Sequence, residues 1–433
     1  MKKKLLAFLA LCNLNFFAQT YTSYFTGNPG NIDSNPSGGI CMMGGATEHD
    51  EAMKWFLQRS DGGDILVLRA SGSNGYNNYL YSGLGITVNS VETIVFNSAA
   101  AANDPYVQQK ISQAEAIWFA GGDQWDYISY WRGNKMDSLI NDGLVNRNIV
   151  IGGTSAGMAI QGKFYFSAAN GSVTTAEALM DPYNIYMTVD SASFLKNRFL
   201  EEVITDTHYD NPDRKGRHVA FLARIYADWG IEAKGIACDE YTAVCIDANG
   251  IARCYGDYPA YDEDIYFLQT NCELINVGPE NCSSGNMLDW NQGAQAVKVY
   301  RVKGTQAGNN TFSLVDWQTG VGGTWENWHI DNGTFYSASG NQLNCAAVSL
   351  LEKEAGAIKI YPNPINTGTL SIEVENEFIT KATLTDISGK QLLSLPGKMP
   401  EKLCIDISWI KAGLYFLDIE TATHKMKRKI VIE

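Results

Sequence analysis

Between residues 38 and 305, short apolar, largely β-branched runs alternate with helical stretches. The runs 40–43, 64–70, 93–97, 116–119, 148–151, 202–207, 235–239, 242–246 and 296–302 predict strands. The segments 48–59, 105–113, 137–146 and 214–227 predict helices. Several of the strands are apolar at every position and end in Gly, Ser or Asp. A strand without alternation has both faces covered, so the pattern predicts an α/β fold with a parallel sheet and helices on both faces. Ligands on such sheets sit beyond the carboxyl ends of the strands.

The pattern changes after residue 305. Residues 306–355 are rich in Gly, Asn, Thr and Trp and read as an irregular β extension or linker. Trp317, Trp325 and Trp328 there are either a ligand platform or aromatics of a small core, and the core reading is the commoner outcome. From residue 356 short alternating strands predict a small all-β sandwich. Its motifs Tyr361-Pro362-Asn363-Pro364, Asp386-Ile387-Ser388-Gly389-Lys390, Gly413-Leu414-Tyr415-Phe416 and Lys429-Ile430-Val431-Ile432-Glu433 resemble the type A C-terminal sorting domain of the type IX secretion system. The resemblance implies the type IX machinery as a partner and release from the cell or attachment to its surface.

The amino terminus agrees. Lys2-Lys3-Lys4, a short apolar run over 5–11 and Phe16-Phe17-Ala18-Gln19 describe a secretory signal peptide cut after Ala18. The division expected is therefore 1–18 signal peptide, 19–305 main domain, 306–355 extension and 356–433 sorting domain. No stretch is long and apolar enough to predict a transmembrane helix. The formal net charge of −14, with no basic block, argues against nucleic acid or an anionic membrane surface as a partner. Export permits disulfides. With Asn249-Gly250 read as a two-residue hairpin loop, Cys245 falls opposite Cys254. Cys272 and Cys282 flank a short loop and form a second candidate pair. All of these could equally be buried thiols. No Cys-x-x-Cys occurs, so a cysteine zinc site is not expected.

The most informative stretch for chemistry is Gly153-Thr154-Ser155-Ala156-Gly157, entered directly from the apolar run 148–151. It fits the Gly-x-Ser-x-Gly elbow, where glycines on either side relieve a tight strand-to-helix turn and leave the serine hydroxyl exposed. The following N–H, on Ala156, then faces a developing oxyanion. A serine nucleophile needs a base. Only five histidines exist: His49, His208, His218, His329 and His424. His208 ends a buried strand on the ligand edge of the sheet and is the best candidate. A carboxylate must orient the imidazole. Glu177 lies between serine and histidine, and Asp239 and Glu240 compete with it. Ala120-Gly121-Gly122-Asp123-Gln124 is a second strand ending in glycines, where Gly122 or Asp123 could give the other oxyanion N–H and Gln124 could hold substrate.

Gly44-Gly45, Phe119-Ala120-Gly121-Gly122-Asp123-Gln124, Gly152-Gly153-Thr154-Ser155-Ala156-Gly157, Asp206-Thr207-His208-Tyr209 and the run from Gly235 to Ala243 occur in the order found in cyanophycinases and other S51 serine peptidases. The chain resembles that family over roughly 38–305. The resemblance implies a flavodoxin-like sheet related to class I glutamine amidotransferases, with Ser155 as nucleophile, His208 as base and Glu177 as third member. It implies Gln124 and Asp206 as substrate-holding residues and needs no metal or organic cofactor. Of three arginines expected after the histidine, the first is replaced by Pro212, and the others are Arg214 and Arg217. Thr207 replaces a glutamine and Tyr209 a phenylalanine. Arginines grip carboxylates bidentately, so an acidic substrate such as cyanophycin or a β-aspartyl peptide remains expected. The rival expectations are an esterase or other acyl hydrolase on the same elbow, and a non-catalytic surface binding protein on the same scaffold.

Overall fold

The structure, a computed structural model, describes residues 19–191, 194–345, 358–366, 368–374, 378–386, 390–421 and 425–432. Residues 1–18, where a signal peptide is expected, residues 346–355 of the expected extension, the expected start of the sorting domain at 356, the turn at 387–389 and His424 lie outside the described residues. The chain divides into two compact units, Met1–Leu343 and Asn344–Glu433.

The first unit begins with β1 (Tyr21–Gly27), β2 (Gly39–Met43), β3 (Asp64–Arg69), β4 (Ser90–Phe96), β5 (Ala116–Phe119) and β6 (Val150–Thr154). Strands β4, β3, β5, β6 and β2 pair in parallel, in that order, as the apolar runs predicted. Their side chains alternate between two cores. Ile40, Met42, Leu66, Leu68, Ile117 and Phe119 enter one. Cys41, Met43, Ile65, Val67, Ala116 and Trp118 enter the other. This is why no polar position interrupts β2, β5 or the interior of β3.

Helices α1 (Asp50–Gln58), α2 (Gly75–Asn78), α3 (Pro105–Gln113), α4 (Gln124–Trp131) and α5 (Lys135–Asn146) lie between these strands. Ala52, Met53, Phe56 and Leu57 of α1 pack into the core that holds Cys41 and Trp118. Val107, Ile111, Tyr127, Trp131, Met136 and Ile140 of α3 to α5 pack on the opposite face. The helices thus cover both faces, as expected.

After β6 come α6 (Ala156–Ala159), the short strands β7 (Tyr165–Phe166) and β8 (Val189–Asp190) with α7 (Thr175–Met180) between them, and β9 (Val203–Asp206). Then follow α8 (Lys215–Trp229), β10 (Lys234–Cys238), β11 (Ala243–Ile246), β12 (Ile251–Tyr255), β13 (Asp264–Thr270) and β14 (Val297–Lys303). The unit ends with β15 (Asn310–Ser313), β16 (Gly320–Val321), β17 (Gly323–Asp331) and β18 (Thr334–Ser339).

The large sheet is mixed rather than wholly parallel. Antiparallel β1 flanks β4, and β11, β12, β15 and β16 continue it antiparallel beyond β2. A second sheet runs β18-β17-β14-β13-β10-β9, with only β9 and β10 parallel. Ile236, Ile265, Phe267 and Tyr300 on one face of this sheet join the first core. Ile204, Tyr266, Leu268 and Trp328 on the other meet α8.

Residues 306–343 are therefore part of the main unit, because β15 to β18 complete its two sheets. Trp328 is fully buried and Trp317 nearly so, which favours the core reading of these aromatics over a surface platform. β13 was missed by sequence reading: Asp-Ile-Tyr-Phe-Leu-Gln-Thr is buried at every position and shows no period.

The Cys245–Cys254 pairing fails for a reason of register. Asp247 N–H donates to Ile251 O, leaving three residues rather than two in the β11–β12 loop, with Gly250 at φ +79°. Cys245 then pairs with Arg253, and Cys254 with Val244. A one-residue slip sends two side chains to opposite faces. In the structure Cys41, Cys245, Cys254 and Cys282 are unbonded, while Cys272 and Cys345 are disulfide-bonded.

In the second unit, β19 (Ile358–Tyr361), β20 (Thr369–Val374), β21 (Ile379–Asp386), β22 (Gln391–Met399), β23 (Lys402–Asp406), β24 (Gly413–Thr421) and β25 (Lys425–Ile432) form two sheets. Their orders are β19-β20-β23 and β22-β21-β24-β25. Leu370, Ile372 and Val374 from one sheet share a core with Ala382, Leu384, Leu417 and Ile419 from the other, giving the small all-β sandwich predicted.

Candidate active site

The carboxyl ends of β2, β5, β6, β9 and β10 converge on one edge of the main unit. Ser155 follows β6 with φ 53° and ψ −119°, a left-handed backbone that a non-glycine residue adopts only when its surroundings impose it. Its N–H donates to Met43 O at 3.1 Å, which ties the elbow to the end of β2. The flanking glycines are required sterically. A β-carbon at Gly153 would overlap the backbone of Gly157, and one at Gly157 would overlap Phe119 O. The elbow therefore has the shape its sequence predicted.

His208 follows β9, with its N–H on Gly44 O at 2.8 Å. Its Nε2 is 2.8 Å from Ser155 Oγ. Its Nδ1 is 2.6 Å from Glu240 Oε1. Serine, imidazole and carboxylate are thus joined in a line, although 53 and 32 residues separate them along the chain. Glu240 follows β10, and its N–H is held by Asp210 Oδ1 at 2.9 Å. The adjacent Tyr241 N–H donates to Gly45 O at 3.2 Å, closing the turn against the Gly44-Gly45 pair.

Glu177 is elsewhere. It is the third residue of α7 and completes a capping box, its Oε2 accepting from Thr174 N at 2.9 Å and Thr174 Oγ1 at 2.8 Å. The position expected for Glu177 is taken by Glu240, one of its two competitors. A capping-box glutamate and a triad acid are not told apart by residue type alone, and Glu177 is set as a cap by Thr174 three residues before it. Asp239, the other competitor, points away from the imidazole: its Oδ2 accepts from Asp264 N at 2.8 Å. Burial pushes the Asp239 carboxyl up to about 8, with Asp210, Asp264 and Glu263 adding repulsion and the Asp264 N–H opposing it.

The other three histidines among the described residues, His49, His218 and His329, do other work. His49 caps α1 through Nδ1 and Ala52 N. His218 is fully buried, and desolvation lowers its imidazole to about 4, so it is neutral. His329 stacks on Tyr336.

A cavity of about 340 Å³ opens over the serine. Gly122, Asp123, Gln124, Ser155, Ala156, Asp206, His208, Arg214 and Arg217 all line it, so every predicted site residue except Glu177 is brought together. Gly121 faces Ser155, and a β-carbon there would make ordinary contact with the serine side chain at 3.6 Å. Tyr127, which sequence reading did not single out, donates its hydroxyl to Ala120 O at 2.9 Å and Gly121 O at 3.0 Å and fixes this turn. Asp123 caps α4 with its side chain, accepting from Trp125 N at 2.8 Å. Gln124 Nε2 reaches Phe166 O at 3.5 Å.

The two arginines divide their tasks. Arg217 forms a fork on Asp206, with Nε to Oδ2 at 2.9 Å and Nη2 to Oδ1 at 2.5 Å, and both side chains are almost wholly buried. Burial alone would raise the Asp206 carboxyl, but Arg217 overrides it and the net direction is down. Arg217 also donates to Val173 O and Ser172 Oγ. Arg214 makes one backbone contact, Nη1 to Thr207 O at 2.9 Å, and its buried Nε has no protein partner. Burial, and then the neighbouring Arg217, lower its pKa. Arg214 is the cation with donors left to offer.

Residues 40–250 match the model of peptidase family S51. This agrees with the resemblance carried by the motifs. Residues 359–433 match the secretion system C-terminal sorting domain. The chain is 23% identical over 231 residues to the cyanophycinases of Synechococcus elongatus and of Thermosynechococcus vestitus, covering 52% of this chain and 67% of each relative. Among solved structures, a peptidase from an acI-B1 Actinobacterium is similar over 52% of this chain and 89% of its own, at 14% identity and a TM-score of 0.39. A putative peptidase E protein from Listeria monocytogenes EGD-e is similar over 51% and 98%, at 13% identity and a TM-score of 0.32. The S51 match supports a peptidase, and the sorting-domain match indicates type IX secretion to the cell surface or outside. No helix among the described residues is long and apolar enough to cross a membrane.

Proposed function

We propose that the protein is an exported serine peptidase that hydrolyses aspartyl or β-aspartyl peptide bonds through Ser155, His208 and Glu240. The observation that carries this reading is the unbroken line from Ser155 Oγ through the imidazole to Glu240 Oε1, at 2.8 and 2.6 Å.

Ser155 Oγ attacks the scissile carbonyl while His208 Nε2 takes its proton. Glu240 holds the Nδ1–H and stabilises the imidazolium. Negative charge moves to the carbonyl oxygen, where the Ala156 N–H and an N–H of Gly122 or Asp123 receive it. Collapse of the tetrahedral intermediate breaks the C–N bond, and His208 returns its proton to the leaving amine. Water, deprotonated by His208, then attacks the acyl-enzyme and releases the acid and Ser155.

The substrate class rests on Arg214. A guanidinium with an unpartnered buried donor, in the same cavity as the nucleophile, suits a substrate carboxylate. Gln124 offers a second polar contact. The net charge of −14 repels acidic peptides at long range, so capture depends on this local cation. The cavity volume is near the lower end for small-molecule sites, which suits a short peptide or the end of a longer one. Arg217 supports the site by holding Asp206 and does not grip substrate directly.

The test is a hydrolysis panel of cyanophycin, β-aspartyl dipeptides, ordinary acidic peptides and simple esters, run on wild type and Ser155→Ala. Cleavage of the aspartyl substrates that vanishes in Ser155→Ala supports the proposal. Turnover of esters alone would replace it with the acyl-hydrolase reading. No turnover together with no labelling of Ser155 by a serine-reactive phosphonate would leave a binding protein.

A further inference from the structure

Cys41 and Cys245 face each other across β2 and β11. Gly44 and Thr242 form a hydrogen-bonded pair of this ladder, Gly44 N–H donating to Thr242 O at 3.0 Å. Alternation along the strands makes Met42 and Val244 the next such pair, so Cys41 and Cys245 occupy a non-hydrogen-bonded pair. Cα atoms are closest at these positions, about 4.5 Å apart. A disulfide spans roughly 4.4–6.8 Å between Cα atoms. The two sulfurs are 3.5 Å apart. Both sit in the core beneath α1, with Ala52 O at 3.8 Å from Cys41 Sγ and 3.9 Å from Cys245 Sγ. Cys254, the partner that the hairpin spacing suggested, lies in the core on the opposite face.

We propose that Cys41 and Cys245 are joined by a cross-strand disulfide in the exported protein. Each thiol gives up its proton and the two sulfurs bond. The two electrons and two protons pass to a thiol-oxidising partner that carries a disulfide, which is reduced to a dithiol. The compartments through which a sorted protein passes are oxidising enough for such an exchange. Timing follows from burial. Both thiols are fully buried and α1 covers them. Burial also raises the Cys245 thiol, suppressing the thiolate that exchange requires. The bond therefore forms as β2 and β11 pair, before α1 seats.

The link would brace the active-site edge without entering its chemistry. Three residues beyond Cys41, Gly44 O receives the His208 N–H, and Gly45 O receives the Tyr241 N–H. Cross-linking positions so far apart in sequence also removes much of the freedom of the unfolded chain.

The experiment uses the full chain recovered from a secreting host. The protein is denatured without reductant, alkylated with N-ethylmaleimide, digested and examined by mass spectrometry. The expected result is a Cys41 peptide joined to a Cys245 peptide, both unalkylated. Cys41→Val is expected to lower the Tm of the secreted protein by ~5–10 °C, while the same substitution has little effect after reduction of both proteins. Full alkylation of both Cys41 and Cys245 in the secreted wild type, or linkage of Cys245 to any other cysteine, would overturn the proposal. The mass measurement is made on wild type and does not depend on the variant folding.

Discussion

Gly45 and His208 are packed so closely that a β-carbon on the glycine would overlap the imidazole ring. Gly45 also has φ +118°, outside the range other residues readily adopt. Gly45→Ala should therefore strain its own backbone and push the imidazole away from Ser155. We expect a loss of about 1–3 kcal/mol in stability. We also expect kcat to fall about a hundredfold, the scale of a 1 Å misplacement. Thermal unfolding and steady-state kinetics check the two effects separately.

Glu240 and Glu177 should separate by their neutral analogues. Glu240→Gln leaves the imidazole without its anionic partner and is expected to cut kcat by about 10⁴ with little change in fold. Glu177→Gln loses only part of a helix cap. It should keep normal kcat and cost no more than about 1 kcal/mol. Equal losses of activity in the two variants would contradict the placement of the carboxylate.

Arg214 and Arg217 should fail in different ways. Arg217→Met strands Asp206 as an unpaired buried carboxylate, and removing one partner of such a pair costs about 3–5 kcal/mol. Arg214→Met leaves no buried anion behind. Its expected effect is a weaker kcat/KM for carboxylate-bearing substrates, with unfolding nearly unchanged. Denaturant titration of the two variants beside kinetics on charged and neutral substrates distinguishes them.

Asp239 makes stability depend on pH. Its folded pKa of about 8 lies above the ordinary aspartate value, so the folded state holds this proton more tightly than the unfolded chain does. The contribution is fully present below about pH 4 and is lost as pH rises to about 8, at a slope of up to about 1.4 kcal/mol per pH unit. Asp239→Asn mimics the protonated form. Its stability relative to wild type should increase between pH 5 and 8. A difference that is flat across this range would show that Asp239 is ionised in the folded protein.

Much of the layout could be read from the chain because it depends on local pattern. Apolar runs in β2, β3, β5 and β6 read as strands buried on both faces, and they are. The Ser155 elbow is local too: its glycines are fixed by crowding within five residues and against one neighbouring strand. His208 stood out because few histidines exist and it alone ends a strand beside the elbow. Glu240 could not be singled out, because three carboxylates satisfied the same local criteria. Only the pairing of β9 with β10, and of β2 with β11, decides which one meets the imidazole.

The sequence by itself determined which residues could do chemistry, through turn sterics, strand burial and the scarcity of imidazoles. The tertiary structure alone decided partnership: Glu240 rather than Glu177 on His208, and Cys41 rather than Cys254 beside Cys245. Each depends on register between strands far apart in the chain. A one-residue change there reverses the face a side chain occupies, and local sequence carries no record of it.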